Sequence, residues 1–86
     1  MAIKDYIIFM QQFIRQAVKA PYSVNFTLSD NKYTININGF RADFDISMIE
    51  EMSNVMSPYL TARQLLESWQ TRYINSIINI NAIKLV

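Results

Sequence analysis

The sequence predicts an α+β fold: a helix, a three-stranded antiparallel meander, a short helix and a long C-terminal helix, with the helices packed on one sheet face. Two observations support this prediction. Apolar residues recur at three- and four-residue steps near both ends of the chain, which is the spacing of amphipathic helices. Between them apolar and polar residues alternate, and two short turn sequences divide this stretch into strands. No linker or internal repeat interrupts the pattern, so we expect residues 1–86 to form a single α+β domain.

The first predicted helix covers residues 3–20 and is ended by Pro21, because the residue preceding a proline is disfavoured in a helix. Its apolar stripe consists of Ile3, Tyr6, Ile7, Met10, Phe13, Ile14 and Ala17. Ile8 is an exception, since it lies in the middle of the opposite, polar face. We therefore expect the Ile8 side chain to be exposed on the folded domain.

Two turns predict the register of the meander, which begins at Tyr22. A two-residue loop at Asp30-Asn31 places Phe26 opposite Ile35, and a loop at Asn38-Gly39 places Ile35 opposite Ala42. Both loops bring apolar residues to the same sheet face, whereas a one-residue slip would divide them between the two faces. That face consists of Val24, Phe26, Leu28, Tyr33, Ile35, Ile37, Phe40, Ala42 and Phe44. The opposite face pairs Lys32 with Asp45 and Thr34 with Asp43.

Two capping boxes are predicted after the sheet. Ser-Met-Ile-Glu at 47–50 opens a short helix to about residue 56, Ser57-Pro58 interrupts it, and Thr-Ala-Arg-Gln at 61–64 opens a longer helix. The apolar stripe of the longer helix consists of Ala62, Leu65, Leu66, Trp69, Tyr73 and Ile77. We expect this helix to cover the sheet and to continue to about residue 79. A short extended end should follow, with a strand over residues 77–86 as the alternative.

The composition excludes several classes of function. The chain has no cysteine and no histidine, which rules out disulfides, a cysteine nucleophile, thiolate metal sites and a Ser-His-Asp triad. Gly39 is its only glycine and belongs to a turn, so no glycine-rich loop can hold a phosphate. We expect no cofactor and no enzymatic activity. The N-terminal region contains no apolar run of about 18 residues, so we expect no signal peptide or membrane span and a cytoplasmic location.

A charged cluster lies in the third predicted strand and the start of the following helix, and three explanations are considered for it. Its members are Arg41, Asp43, Asp45, Glu50 and Glu51. Asp43 and Asp45, with Lys32 opposite, could bind a hard cation or act as an acid/base pair. We favour ion pairing across the strands and stabilisation of a helix start, which need no metal. We also predict a partner-binding role for the cluster, as an acidic patch that faces a basic groove.

The sequence contains more apolar residues than one small core needs. We assign Ile8, Ile74 and Ile78 to self-association, because all three fall outside the predicted core stripes. Three methionines recur at four-residue steps on the short helix, at Met48, Met52 and Met56. Such a stripe can form an adaptable partner site, but we favour the core. We also assign Tyr22, Tyr33 and Phe44 to the core rather than to a nucleic-acid stacking platform.

Three hypotheses about function follow. Small size and isoleucine- and asparagine-rich usage resemble those of small phage or mobile-element proteins in general, which often bind and block a host protein, as inhibitors of CRISPR effectors do. The first hypothesis is therefore a non-enzymatic, homodimeric inhibitor or adaptor of a larger host protein or protein–nucleic acid complex. The second is a nucleic-acid accessory protein, although the net charge of +1 argues against direct binding. Its contacts would be Lys4, Arg15, Lys19, Arg63 and Arg72. The third is a carboxylate–metal enzyme that depends on Asp43 and Asp45.

Overall fold

The computed structural model describes residues 2–18 and 22–73. In chain order its elements are α1 (Ile3–Ala17), β1 (Val24–Leu28), β2 (Lys32–Ile37), β3 (Phe40–Asp45), α2 (Ile46–Ser53) and α3 (Pro58–Arg72). The helices contact the antiparallel sheet, which confirms the predicted α+β class.

The sheet has the strand order β1-β2-β3 and the predicted register. Phe26 lies opposite Ile35, which in turn lies opposite Ala42. In the second turn Asn38 has a φ of 54° and Gly39 a φ of 91°. Two successive positive φ values are those of a type I′ hairpin turn, which asparagine and glycine tolerate best. The turn residues therefore determine which face of each strand is apolar.

The core lies between the sheet and the helices, and its largest side chain is that of Trp69. The Trp69 ring is fully buried, and its Nε1–H donates to the carbonyl oxygen of Phe40 over 2.9 Å. The other apolar residues of the core are Tyr6, Ile7, Met10, Ile14, Ala17, Val18, Tyr33, Ile35, Ile37, Ala42, Phe44, Ile49, Ala62, Leu65 and Leu66. The predicted stripes of both long helices are thus largely confirmed within the described residues. Phe13, on the first stripe, is an exposed residue.

The helix ends differ from the predicted ones. α1 ends at Ala17 and not at residue 20, because Val18 adopts an extended conformation (φ −87°, ψ 116°) and its side chain belongs to the core. Packing of this β-branched residue ends the helix before Pro21 could do so. The short helix α2 ends at Ser53 rather than near residue 56.

Neither predicted capping box begins a helix. α2 begins at Ile46, whose N–H donates to the Asn31 carbonyl oxygen over 3.0 Å, so a bond to the first turn takes the place of a side-chain cap. α3 begins at Pro58, where a missing N–H has no cost, and Ser57 Oγ accepts from the Leu60 N–H over 3.3 Å. The Ser57-Pro58 pair is therefore a helix start. Thr61 is buried inside α3 instead.

α3 ends at Arg72, and the aromatic residue that follows attaches it to the sheet. The Tyr73 ring lies edge-on to Phe40, with ring centroids 5.1 Å apart, and its hydroxyl donates to the Arg41 carbonyl oxygen. The predicted helix beyond this point, its strand alternative and Ile77 lie outside the described residues. Within the described residues, no helix has the length and apolar character needed to cross a membrane.

Candidate protein-binding surface

α2 is attached to the core by a single fully buried residue. Ile49 is the only buried residue of this helix, and its side chain is completely enclosed. We use the name α2 surface for the outward residues of this helix and of the turn that follows it. These residues are Met48, Glu50, Glu51, Met52, Val55 and Met56. One anchoring residue on so short a helix leaves most of its side chains available to a partner.

The prediction that the methionines fill the core is wrong. Met48 is 37% exposed, Met52 and Met56 are half-buried, and none of the three belongs to the core. Successive residues of a helix are rotated by about 100°, so when Ile49 points inward the methionine stripe that begins at Met48 faces the rim of the domain. Val55 adds an apolar side chain that is 79% exposed. Flexible, polarizable methionine side chains at a rim can adapt their shape to a bound protein.

The α2 carboxylates differ from the β3 carboxylates. Glu50 and Glu51 are exposed, and within the described residues neither forms an ion pair. By contrast, Asp45 Oδ1 lies 2.6 Å from Lys32 Nζ, and Asp43 Oδ1 accepts from the Thr34 hydroxyl over 2.6 Å. Two uncompensated negative charges therefore lie on the α2 surface.

The remaining charges of the predicted cluster stabilise the polar face of the sheet. Arg41 Nη2 lies 3.7 Å from Asp43 Oδ1, so an ion pair forms along β3 itself. The hydrogen bond that Lys32 Nζ donates to Asp45 Oδ1, together with the negative charge of Asp45, raises the pKa of Lys32 above its usual value. In the described residues no three carboxylates approach closely enough to hold a metal ion. The cluster thus consists of a compensated strand group and an uncompensated helix group.

A cleft of about 230 Å³ lies between the turn that follows α2 and the first half of α3. Its lining residues are Met56, Leu60, Arg63, Gln64 and Glu67. Leu60 is a large exposed apolar residue, and Arg63 Nε lies 3.8 Å from Glu67 Oε1. The cleft extends the methionine side of the α2 surface and could receive one apolar side chain of a partner.

A larger groove, of about 360 Å³, lies between α1 and the end of β1. Ile8 lines it and is 47% exposed, in agreement with the predicted position. Leu28, on the opposite wall, is 57% exposed, although the sequence assigned it to the core face. The position of Leu28 at the end of an edge strand was the sequence feature that could have predicted its exposure. Ile74 and Ile78 lie outside the described residues.

The basic residues of the nucleic-acid hypothesis lie in separate environments. Lys4 lines the α1 groove, and the Arg15 guanidinium lies 4.9 Å from the centre of the Phe26 ring. Arg63 pairs with Glu67, Arg72 lies in the last turn of α3, and Lys19 is outside the described residues. The proposed stacking residues Tyr33 and Phe44 are buried, and Tyr22 is partly buried against the core.

The described residues define a small α+β domain whose second helix is largely exposed. Comparison with protein-family models, with curated proteins and with solved structures found no match for this chain.

Proposed function

We propose that this protein is a non-enzymatic protein-binding module, which acts as an inhibitor or adaptor of a larger protein through its α2 surface. The observation that supports this most directly is that Ile49 is the only buried residue of α2, while Met48 and the uncompensated carboxylates of Glu50 and Glu51 are exposed. Partner surfaces often combine a desolvated apolar centre with charges at the rim. Met48 and Met52 would supply the centre, and Glu50 and Glu51 the rim.

The charge of the α2 surface indicates the chemistry of the partner. Glu50 and Glu51 have no internal counter-charge in the described residues, so a groove with lysine or arginine side chains would complement them. Asp43, Asp45 and Arg41 have a secondary role in this proposal, because internal bonds already satisfy them. A basic groove on a nucleic-acid-binding protein has the required charge.

The composition supports a narrower version of the proposal. We infer that the partner is a cytoplasmic host protein of the kind that phage or mobile elements block, such as a defence effector. This inference depends on chain size and on isoleucine and asparagine usage, not on the geometry of the α2 surface.

Affinity capture with matched charge reversals tests the proposal. Immobilised wild type, Glu51→Lys and Asp5→Lys would each be exposed to lysate of candidate host cells, with circular dichroism as the check on folding. Asp5 is the matched control because it is also exposed on a helix, away from α2. We expect wild type and Asp5→Lys to retain the same protein and Glu51→Lys to retain about tenfold less, the equivalent of about 1.4 kcal/mol.

Two other outcomes would contradict the proposal. Equal retention by both variants would place the binding site elsewhere on the domain. Retention of nucleic acid, lost steeply as salt is added, would favour the accessory-protein hypothesis instead, because phosphate contacts release counterions.

A further inference from the structure

The outward edge of β1 presents backbone N–H and C=O groups that have no hydrogen-bond partner among the described residues. The Ser29 N–H donates to the Lys32 carbonyl and the Asn38 N–H donates to the Ser23 carbonyl, each over 3.0 Å. Because an antiparallel ladder alternates, these bonds determine which residues of β1 face β2 and which face away. The residues whose N–H and C=O groups face away are Val24, Phe26 and Leu28. Within the described residues none of these groups has a hydrogen-bond partner.

The two edges of the sheet differ in their protection. At β3, the outward carbonyl oxygen of Arg41 accepts a bond from the Tyr73 hydroxyl, and the strand carries three charged side chains. β1, with the sequence Val-Asn-Phe-Thr-Leu, has no charged residue, no proline and no glycine. Charges, prolines and covering elements are the devices by which proteins prevent edge strands from pairing with another chain. β1 has none of these devices in its own sequence.

The apolar face is also incompletely covered at β1. On the central strand β2, the residues Tyr33, Ile35 and Ile37 are fully buried. Their neighbours on β1 are Leu28, which is exposed, and Phe26 and Val24, which are half-buried. The helical layer therefore extends less far over β1 than over the centre of the sheet. A further strand beside β1 would cover what the helices leave open.

We propose that this strand is β1 of a second copy of the chain, paired antiparallel to form one continuous six-stranded sheet. The register that uses the whole strand places the two-fold axis between Phe26 and Phe26 of the second copy. Leu28 then lies opposite Val24 on the apolar face, and Asn25 lies opposite Thr27 on the polar face. β1 itself carries no charge, so no like charges meet along the strand, which is complementary to itself as a two-fold interface requires. The Arg15 guanidinium, 4.9 Å from the centre of the Phe26 ring, lies near the two-fold axis in both copies.

The same pairing covers the groove beside α1. In this register Val24 of the second copy lies next to Leu28, at the mouth of the groove that Ile8 lines. The same contact thereby accounts for two exposed apolar residues, which are Ile8 on the polar face of α1 and Leu28 at the end of β1. The α2 surface takes no part in it.

Variants that add charge to the exposed polar face of β1 test this pairing without changing the core. Asn25→Lys/Thr27→Lys places two pairs of like charges opposite each other at the interface, and so does Asn25→Asp/Thr27→Asp. We expect wild type at about twice the chain mass of 10.1 kDa, and each variant alone at that chain mass. An equimolar mixture of the two variants should recover the doubled mass. Gln64→Lys/Ser68→Lys, with the same added charge on exposed positions of α3, is the control and should remain dimeric.

Amide exchange provides the second measurement. The Phe26 N–H points away from β2, so it should exchange slowly in the wild-type dimer and rapidly in either charged variant. Three results would overturn the proposal. They are a monomeric wild type at every concentration tested, a dimer that persists in the Lys variant, and a slowly exchanging Phe26 amide in a monomer, which would mean that the same chain covers the edge.

Discussion

The hydroxyl of Tyr6 on α1 lies 2.6 Å from Thr61 Oγ1 on α3, a contact between residues 55 positions apart. The same hydroxyl lies 3.0 Å from the Met56 carbonyl oxygen and 3.1 Å from that of Ser57. Thr61 is completely buried, and Tyr6 is nearly so. One phenol group thus joins the first helix to the first turn of the last one.

Removal of the Tyr6 hydroxyl should destabilise the fold. Tyr6→Phe leaves the buried Thr61 hydroxyl without this partner, at a cost of about 1–3 kcal/mol in the free energy of unfolding. Urea denaturation measures it. Thr61→Val should have a similar cost, and the double variant should lose less than the sum of the two, because the residues share one bond. If the losses in unfolding free energy of the two single variants simply added up in the double variant, the Tyr6–Thr61 hydrogen bond would be contradicted.

Truncation of Ile49 should release α2 from the domain. Ile49→Ala removes the only fully buried side chain of this helix, at an expected cost of about 2–5 kcal/mol in unfolding free energy. Met48→Ala, a truncation of its exposed neighbour, should cost about 0.5 kcal/mol or less. Thermal unfolding of both variants gives the comparison. Equal losses would show that α2 is not held as described.

Removal of the Tyr33 hydroxyl should not destabilise the domain at neutral pH. Within the described part of the chain no hydrogen bond of normal geometry reaches this buried oxygen, although the Gln11 side chain lies near it, so the burial of the hydroxyl is poorly compensated. Tyr33→Phe keeps the ring that stacks on Phe26 at a centroid distance of 5.9 Å. We expect the unfolding free energy to stay equal or to rise by about 1 kcal/mol. A loss of that size in urea denaturation would indicate a partner for the hydroxyl.

Alkaline pH should destabilise the wild type through the same group. Burial raises the pKa of Tyr33 well above its usual value, and the neighbouring Gln11 and the Arg15 charge oppose this rise only in part. The unfolded chain therefore releases the Tyr33 proton from about pH 10, while the folded chain retains it. The contribution of this pKa difference to the free energy of unfolding is fully present below about pH 10 and decreases as the pH rises above it. Above pH 10, Tyr33→Phe should lose less stability than wild type in urea titrations.

The strand register could be predicted from the sequence because each two-residue turn determines the pairing of its own hairpin. Phe26, Ile35 and Ala42 then had to share a face, and they do. The helix starts were predicted less well, since a cap was inferred from local residue patterns. The start of α2 at Ile46 involves a bond to Asn31, which is distant in sequence, and Thr61 is buried against Tyr6 instead of capping a helix. The start of α3 at Pro58, with Ser57 as its cap, is a local pattern that was interpreted only as an interruption.

The burial of short apolar stripes was also beyond prediction. α2 has apolar residues on two sides, and period alone does not say which side faces the core. Packing selected Ile49 and left Met48 at the rim. The carboxylates of the candidate site were correctly placed at the surface, and the predicted register already paired Asp45 with Lys32, which is confirmed. That Glu51 lacks an ion pair within the described residues required the distances.

The bond from Tyr73 to the Arg41 carbonyl oxygen, at the outer edge of β3, also limits how large an assembly can grow. A sheet whose two edges were equally open could add copies in both directions and extend into a fibre. Here the β3 edge has its Arg41 carbonyl oxygen bonded by Tyr73 and carries three charged residues, so growth is favoured only at the β1 edge. Polymerisation through strand pairing would therefore stop at two molecules.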